Sequence, residues 1–485
     1  MSPRVNANLR KRVAGSLLTL GCLTMTLAAA AQVDLPAGDQ AMAELASLDE
    51  SPSAPTAPLP SLPALFDQAL RHDTYLSQQR YELDATHQEI PMAQARLKPE
   101  LSASGGYLWQ DSTNIQTVGD SDLGQPATRP GEFDEHWWSL QLRQPLFSLE
   151  RWRQVNLAES QVSAAELDVA LVERDLALSV SEAYINAYLA SRTLGLLEAQ
   201  QESLELQVRQ AQRAFDLGIG DRINLLEAQS RFDQAIADAV QAENDLDDAL
   251  SELERLTGSI PDFSDRQLGE LRVNKISQNF ATEEELLELV GNNLDVLRAL
   301  AEQEIASSDT QVRKSGYFPE VNLNLSYNDR TSDDHLRQSE DYTASVEVSV
   351  PLYRGGYTVA SVRQGELRTQ ATREGIANAR NLATQEVRQR LRAINGGLRR
   401  MEALEQAINS SQLFLEAAER GEQLGLRDLV DVLDARANLY DQRIQFVDAM
   451  GRYLIDRLAL QSAVGELGSQ ELASVTTLLL SVSTP

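Results

Sequence analysis

Two carboxylates, Asp431 and Asp434, stand three residues apart in the run Asp431-Val432-Leu433-Asp434. On a helix that spacing puts both on one face. The bland reading is a solvated acidic face. In a symmetric oligomer the pair repeats around an axis and becomes rings of charge, which select cations by sign. Other chemistry is sparse. The four histidines (His72, His87, His136 and His335) are scattered, two in a first helical stretch and two in or beside presumed loops. None has the clustered spacing of a metal site, and no nucleophile-base-acid set appears, so no catalytic residue, metal or cofactor is expected.

The single cysteine, Cys22, falls in an N-terminal secretory signal. Arg10, Lys11 and Arg12 form its basic start, Val13 to Leu27 its apolar core, and Ala28 to Ala31 a small-residue cleavage site. Leu20-Gly21-Cys22 has the outline of a lipoprotein site, but Thr19 stands where an aliphatic residue belongs, so residues 1–31 are expected to be cleaved without lipidation. The formal net charge of the chain is −29. Loss of residues 1–31 removes only basic groups, which makes the remainder more acidic still. That charge opposes nucleic acid and anionic lipid as partners. Beyond the signal no apolar run approaches the length of a membrane helix, so any insertion must use β-strands.

Proline placement divides the chain. Pro36, Pro52, Pro55, Pro58, Pro60 and Pro63 crowd a Pro/acidic linker over residues 32–61 and its edge. None occurs between Pro145 and Pro261, or between Pro351 and Pro485, which leaves room for two long helical tracts. Landmarks recur in order at a near-constant offset. Lys98-Pro99-Glu100-Leu101 returns as Phe318-Pro319-Glu320-Val321, and Gln144-Pro145-Leu146-Phe147 as Val350-Pro351-Leu352-Tyr353. Leu217-Gly218-Ile219-Gly220-Asp221 returns as Leu424-Gly425-Leu426-Arg427-Asp428. The chain therefore reads as an internal duplication. The first repeat spans 62–258, a connecting segment 259–281, the second repeat 282–466 and a tail 467–485.

Each repeat carries two strands of period two. Leu101, Ala103, Tyr107 and Trp109 alternate with polar neighbours, as do Trp138, Leu140 and Leu142, then Val321, Leu323, Leu325 and Tyr327, then Tyr342 through Leu352. A half-buried soluble sheet has the same alternation, but the length also suits tilted membrane strands. Residues 111–135 and 329–341 are the expected outward loops. The helices follow a heptad seam through Val169, Leu176, Val180, Ala183, Ala187, Leu194, Leu197, Leu204 and Phe215, returning through Phe232, Ile236, Ala239, Leu246, Leu250 and Leu253. Val387, Leu391, Ile394, Leu398 and Met401 repeat it in the second half. Four strands cannot close a membrane barrel alone, so a barrel must be shared among two, three or four copies.

The duplicated plan resembles the TolC-type outer membrane efflux protein family over residues 62–466. The segment from Gln423-Leu424-Gly425-Leu426-Arg427-Asp428 to Ala437-Asn438-Leu439-Tyr440 is similar to the family's second inter-helix tip, and Leu217-Gly218 through Ala228-Gln229 resembles the first. Leu256-Thr257-Gly258 and Ala463-Val464-Gly465 match the paired repeat ends. The resemblance implies a mainly α protein with membrane β: a homotrimer with a shared 12-strand β-barrel in the outer membrane and a long coiled-coil α-helical barrel across the periplasm. It implies an exit duct for efflux or type I secretion, working with a periplasmic adaptor and an inner-membrane pump. A soluble coiled-coil adaptor or scaffold is the competing reading, but it leaves the two strand pairs unexplained.

By the same resemblance Arg427 matches the family's gating arginine, and Asp431 and Asp434 would ring the constriction. Glu422 occupies the gating tyrosine position and Asn224 that of its partner aspartate, so a Glu–Asn hydrogen bond would replace that link. Leu217, Gly218, Leu424 and Gly425 would present an apolar knob to the adaptor. Tyr107, Trp109, Trp137, Trp138 and Tyr327 read as a girdle at the lipid interface, with aromatic packing between strands as the bland alternative.

Overall fold

The computed structural model describes residues 61–111, 132–263, 273, 281–333 and 338–483. The signal, Cys22, nearly all of the linker, His335, most of the connecting segment and the centre of the first expected loop lie outside the described residues. Three short helices, α1 (Leu62–His72), α2 (Thr74–His87) and α3 (Glu89–Ala95), lead into strands β1 (Glu100–Asp111) and β2 (Glu132–Ser148). The helix α4 (Leu149–Asp216) then runs for 68 residues and returns as α5 (Arg222–Thr257). Next come α6 (Glu283–Glu288), α7 (Leu294–Lys314), β3 (Glu320–Ser332) and β4 (Ser339–Ser349). The 67-residue α8 (Tyr357–Gln423), its return α9 (Leu429–Ala463) and α10 (Ser469–Ser483) complete the chain. The protein is mostly helical, and no described helix is long and apolar enough to cross a membrane.

At ~1.5 Å per residue, α4 and α8 each extend ~100 Å. Most of a helix's stability in a protein comes from packing of its apolar face, and the seam supplies it. Val169, Leu176, Val180, Ala183, Ala187, Leu194, Leu197 and Leu204 are buried, as are Leu246 and Leu253 on α5. Val387, Ile394 and Met401 on α8 are buried beside Phe446 and Met450 of α9. Ser148 caps α4, its hydroxyl accepting from Arg151 N, so the helix starts slightly later than the proline gap suggests.

A large core cluster lies midway along α4, where the first and last described helices meet. Leu62, Leu65 and Leu76 pack with Tyr184 and Tyr188 of α4 and with Leu472, Val475 and Leu479 of α10. The Leu62 N–H donates to Thr476 Oγ1 at 3.0 Å. Burial pushes the Tyr184 phenol up from its ordinary range, so it stays neutral.

The strands form one antiparallel sheet in the order β1-β2-β3-β4, with a bulge between Pro145 and Phe147. The strands outrun the expected loops. Asp111 pairs with Glu132 and Trp109 with Asp134, so residues 132–135 are ladder rather than loop. In the second pair Arg330 and Ser339 are partners, which shortens that loop too. β4 lies earlier than its sequence pattern suggests and stops at Ser349, close before Pro351, which has no N–H to give a ladder.

Candidate functional site

The two hairpin tips are built alike. α4 ends in a Schellman turn in which Gly218 N–H donates to Phe215 O at 2.9 Å and Ile219 N–H to Ala214 O at 3.0 Å. α8 ends identically, with Gly425 N–H on Glu422 O at 2.9 Å and Leu426 N–H on Gly421 O at 2.8 Å. Gly218 and Gly425 have φ of 73° and 70°, a conformation costly for any residue with a Cβ. Asp221 and Asp428 then cap α5 and α9 by accepting backbone N–H bonds. These turns push four apolar side chains outward: Leu217, Ile219, Leu424 and Leu426 are 74, 81, 74 and 78% exposed. Ile219 and Leu426 did not stand out in the sequence, although their matched places in the repeated motif carried the signal.

Just inside the tips lie the charged residues. Arg427 Nη1 donates to Asp431 Oδ2 at 3.2 Å, one turn further on. Its guanidinium sits 5.9 Å from the Phe414 ring of α8. Asp434 takes a different cation. Arg231 of α5 donates from Nη2 to Asp434 Oδ1 at 2.8 Å, and from Nε to Glu227 at 3.0 Å. Nothing in the sequence alone singled out Arg231. Arg436, mostly buried, bonds Ser203 of α4 and Glu419 of α8, fixing α9 against both long helices. Among the described residues no hydrogen bond joins Glu422 to Asn224, so the expected Glu–Asn link does not form within the chain. Glu422 lies in the last turn of α8 and is exposed, its backbone carbonyl taken by the Schellman turn instead.

Magnitudes separate the two kinds of contact. A buried Leu or Val in a seam contributes ~1.5–3 kcal/mol, whereas a half-exposed ion pair contributes ~0–1 kcal/mol. The seam holds the hairpins together, and the ion pairs are the adjustable part.

At the other end the sheet has two unlike faces. Leu101, Ala103, Leu140, Leu142, Leu323, Leu325, Ala344 and Val346 share one face by register. Tyr107, Trp109, Trp138, Tyr327 and Tyr342 border it. The Trp138 and Tyr327 rings lie 4.8 Å apart, and Tyr327 and Tyr342 4.6 Å. Their polar atoms meet carboxylates: Tyr107 Oη donates to Asp134 at 2.8 Å, Trp138 Nε1 to Asp329 at 3.0 Å, and Tyr327 Oη to Glu340 at 3.0 Å. Trp137 departs from the expected girdle. As the strand neighbour of Trp138 it points to the opposite face, where its indole lies against Gly106 among Ser104, Ser139 and Asn328. His72 and His87 end α1 and α2, and His136 lies on β2. Among the described residues no three metal-ligating side chains come together.

Long paired helices running from an apolar-faced sheet to exposed apolar tips define a channel subunit of the envelope, not a compact globular domain. The chain matches the model of the outer membrane efflux protein family over residues 65–259 and 286–466, and it belongs to that family. It is similar to outer membrane protein TolC of Vibrio cholerae, 27% identical over 418 residues, covering 85% of this chain and 92% of that protein. It is also similar to the alkaline protease secretion protein AprF of Pseudomonas aeruginosa, 28% identical over 425 residues, covering 86% and 87%. The Campylobacter jejuni CmeC outer membrane channel shares the fold, with a TM-score of 0.69 at 16% identity over 87% of this chain and 89% of that one. The chain is an outer-membrane exit duct of efflux or secretion systems.

Proposed function

We propose that three copies of the chain close into one 12-strand barrel, continued by an α-helical barrel that is gated at its periplasmic tip. The observation that carries this reading is the sheet: four strands, an apolar face and two open edges, β1 and β4. Open edges are not tolerated in lipid, and four strands are too few to close. A soluble adaptor or scaffold would leave this face in water.

In this reading residues 62–258 and 282–466 are repeats joined by 259–281, with 467–485 as a tail. Tyr107, Trp109, Trp138 and Tyr327 sit at the level of the lipid headgroups, and Trp137 looks into the lumen. Leu217, Gly218, Leu424 and Gly425, with Ile219 and Leu426, dock the periplasmic adaptor of a tripartite assembly whose pump lies in the inner membrane. Arg427, Asp431, Asp434, Glu422 and Asn224 surround the narrow end, and the duct is a passive conduit rather than an enzyme. The full chain in mild detergent should run as a trimer by native mass. A monodisperse monomer would overturn the shared barrel.

A further inference from the structure

Arg231 and Asp434 belong to different hairpins of one chain. Arg231 lies about two and a half turns into α5 and Asp434 less than two turns into α9. Their 2.8 Å contact crosses from the first tip to the second. No polar link nearer the tips joins the two hairpins among the described residues: Arg427–Asp431 stays within the second, and Arg436 holds Ser203 and Glu419 further from the tip.

Glu227, one turn before Arg231, gives the guanidinium a second carboxylate at 3.0 Å. The arrangement is therefore asymmetric. When the hairpins separate, Arg231 stays neutralised by Glu227, whereas Asp434 loses its partner and stands bare.

We propose that Arg231 is a latch residue of the gate, adding a breakable polar tie to the apolar cluster of Ala228, Leu429 and Leu433 between the two hairpins of each subunit and masking one of the two carboxylates at the constriction. Opening releases Asp434, so the same movement that widens the duct also makes it more attractive to cations. Side chains 41 and 53% exposed make a weak, salt-screened pair, which suits a contact that must break in use. This inference rests on the tips being the gate.

The full-length protein in planar bilayers separates the outcomes. Arg231→Gln should raise the open population by about 1.4- to 5-fold per latch, the range for an exposed ion pair. It should also raise cation over anion permeability and sharpen block by a divalent cation, because Asp434 is unmasked. Asp434→Asn should raise conductance too, but lower cation permeability. Opposite changes in selectivity with the same change in conductance are the signature of a latch. The exchanged pair, Arg231→Glu with Asp434→Arg, should return conductance towards wild type. If Arg231→Gln leaves conductance unchanged while Arg427→Ala raises it, the latch is wrong and the gate stands. If neither raises it in channels that still conduct, the gate reading fails and the latch with it.

Discussion

Arg427 is held by its own subunit: its Nη1 lies 3.2 Å from Asp431, one turn along the same segment. The rest of its side chain nests against the end of α8, so close that a Cβ on Gly421 would come 2.7 Å from Arg427 Cγ. In the gate proposed above, a bridge from Arg427 to a neighbouring subunit would have to compete with this pairing, so closure and masking of Asp431 would draw on the same guanidinium.

Arg427→Ala removes both roles. If the proposed gate is closed by such a bridge, single-channel conductance is expected to rise, and block by multivalent cations should strengthen as Asp431 is uncovered. Unchanged conductance would show that Arg427 only caps its own helix turn.

Replacing both acids isolates their charge. In Asp431→Ala with Asp434→Ala, Arg427 loses its carboxylate while Arg231 keeps Glu227, so the constriction becomes less negative. Reversal potentials in a salt gradient should show weakened cation selectivity, and multivalent block should fade. Wild-type selectivity and block in that variant would make the pair an ordinary solvated face.

Much of the architecture was legible because it is periodic. The proline gaps bounded α4 and α8, the heptad picked out Val180, Leu194 and Met401 as buried, and Leu-Gly motifs marked both reversals. What escaped was non-periodic. The first helical stretch is three helices, broken where Asp73 stops α1 and caps α2 by accepting from Leu76 N. Arg231 and Asp434 lie 203 residues apart, and no local pattern joins them. Trp137 and Trp138 are adjacent on one strand and so face opposite ways, which a single girdle holding both does not allow.

The contact between α1 and α10 should matter for stability. Thr476→Val keeps the shape but leaves the buried Leu62 N–H without its acceptor, a loss of about 1–3 kcal/mol. Thermal or denaturant unfolding in detergent should show it. Thr476→Ser, which retains the hydroxyl, should recover most of the loss; equal losses in both variants would assign the effect to packing.

The divided tryptophan pair gives a direct test of which face meets lipid. The chain has four tryptophans, so variants keeping one indole each are practical. Trp138 shares its face with Leu140, Leu142 and Tyr327, and in vesicles its emission should be quenched by brominated lipid and spared by aqueous iodide. Trp137 should behave oppositely, since its face carries Ser104, Ser139 and Asn328. Its indole lies across Gly106, where an added Cβ would stand 2.9 Å from the ring. The glycine leaves room for the ring, and the ring covers backbone that the glycine leaves open. Gly106→Val should therefore swing the indole into the lumen and increase its iodide quenching, leaving Trp138 unchanged. If Trp137 responds instead to brominated lipid, the polar face is not the lumen, and the assignment of the sheet's two faces must be reversed.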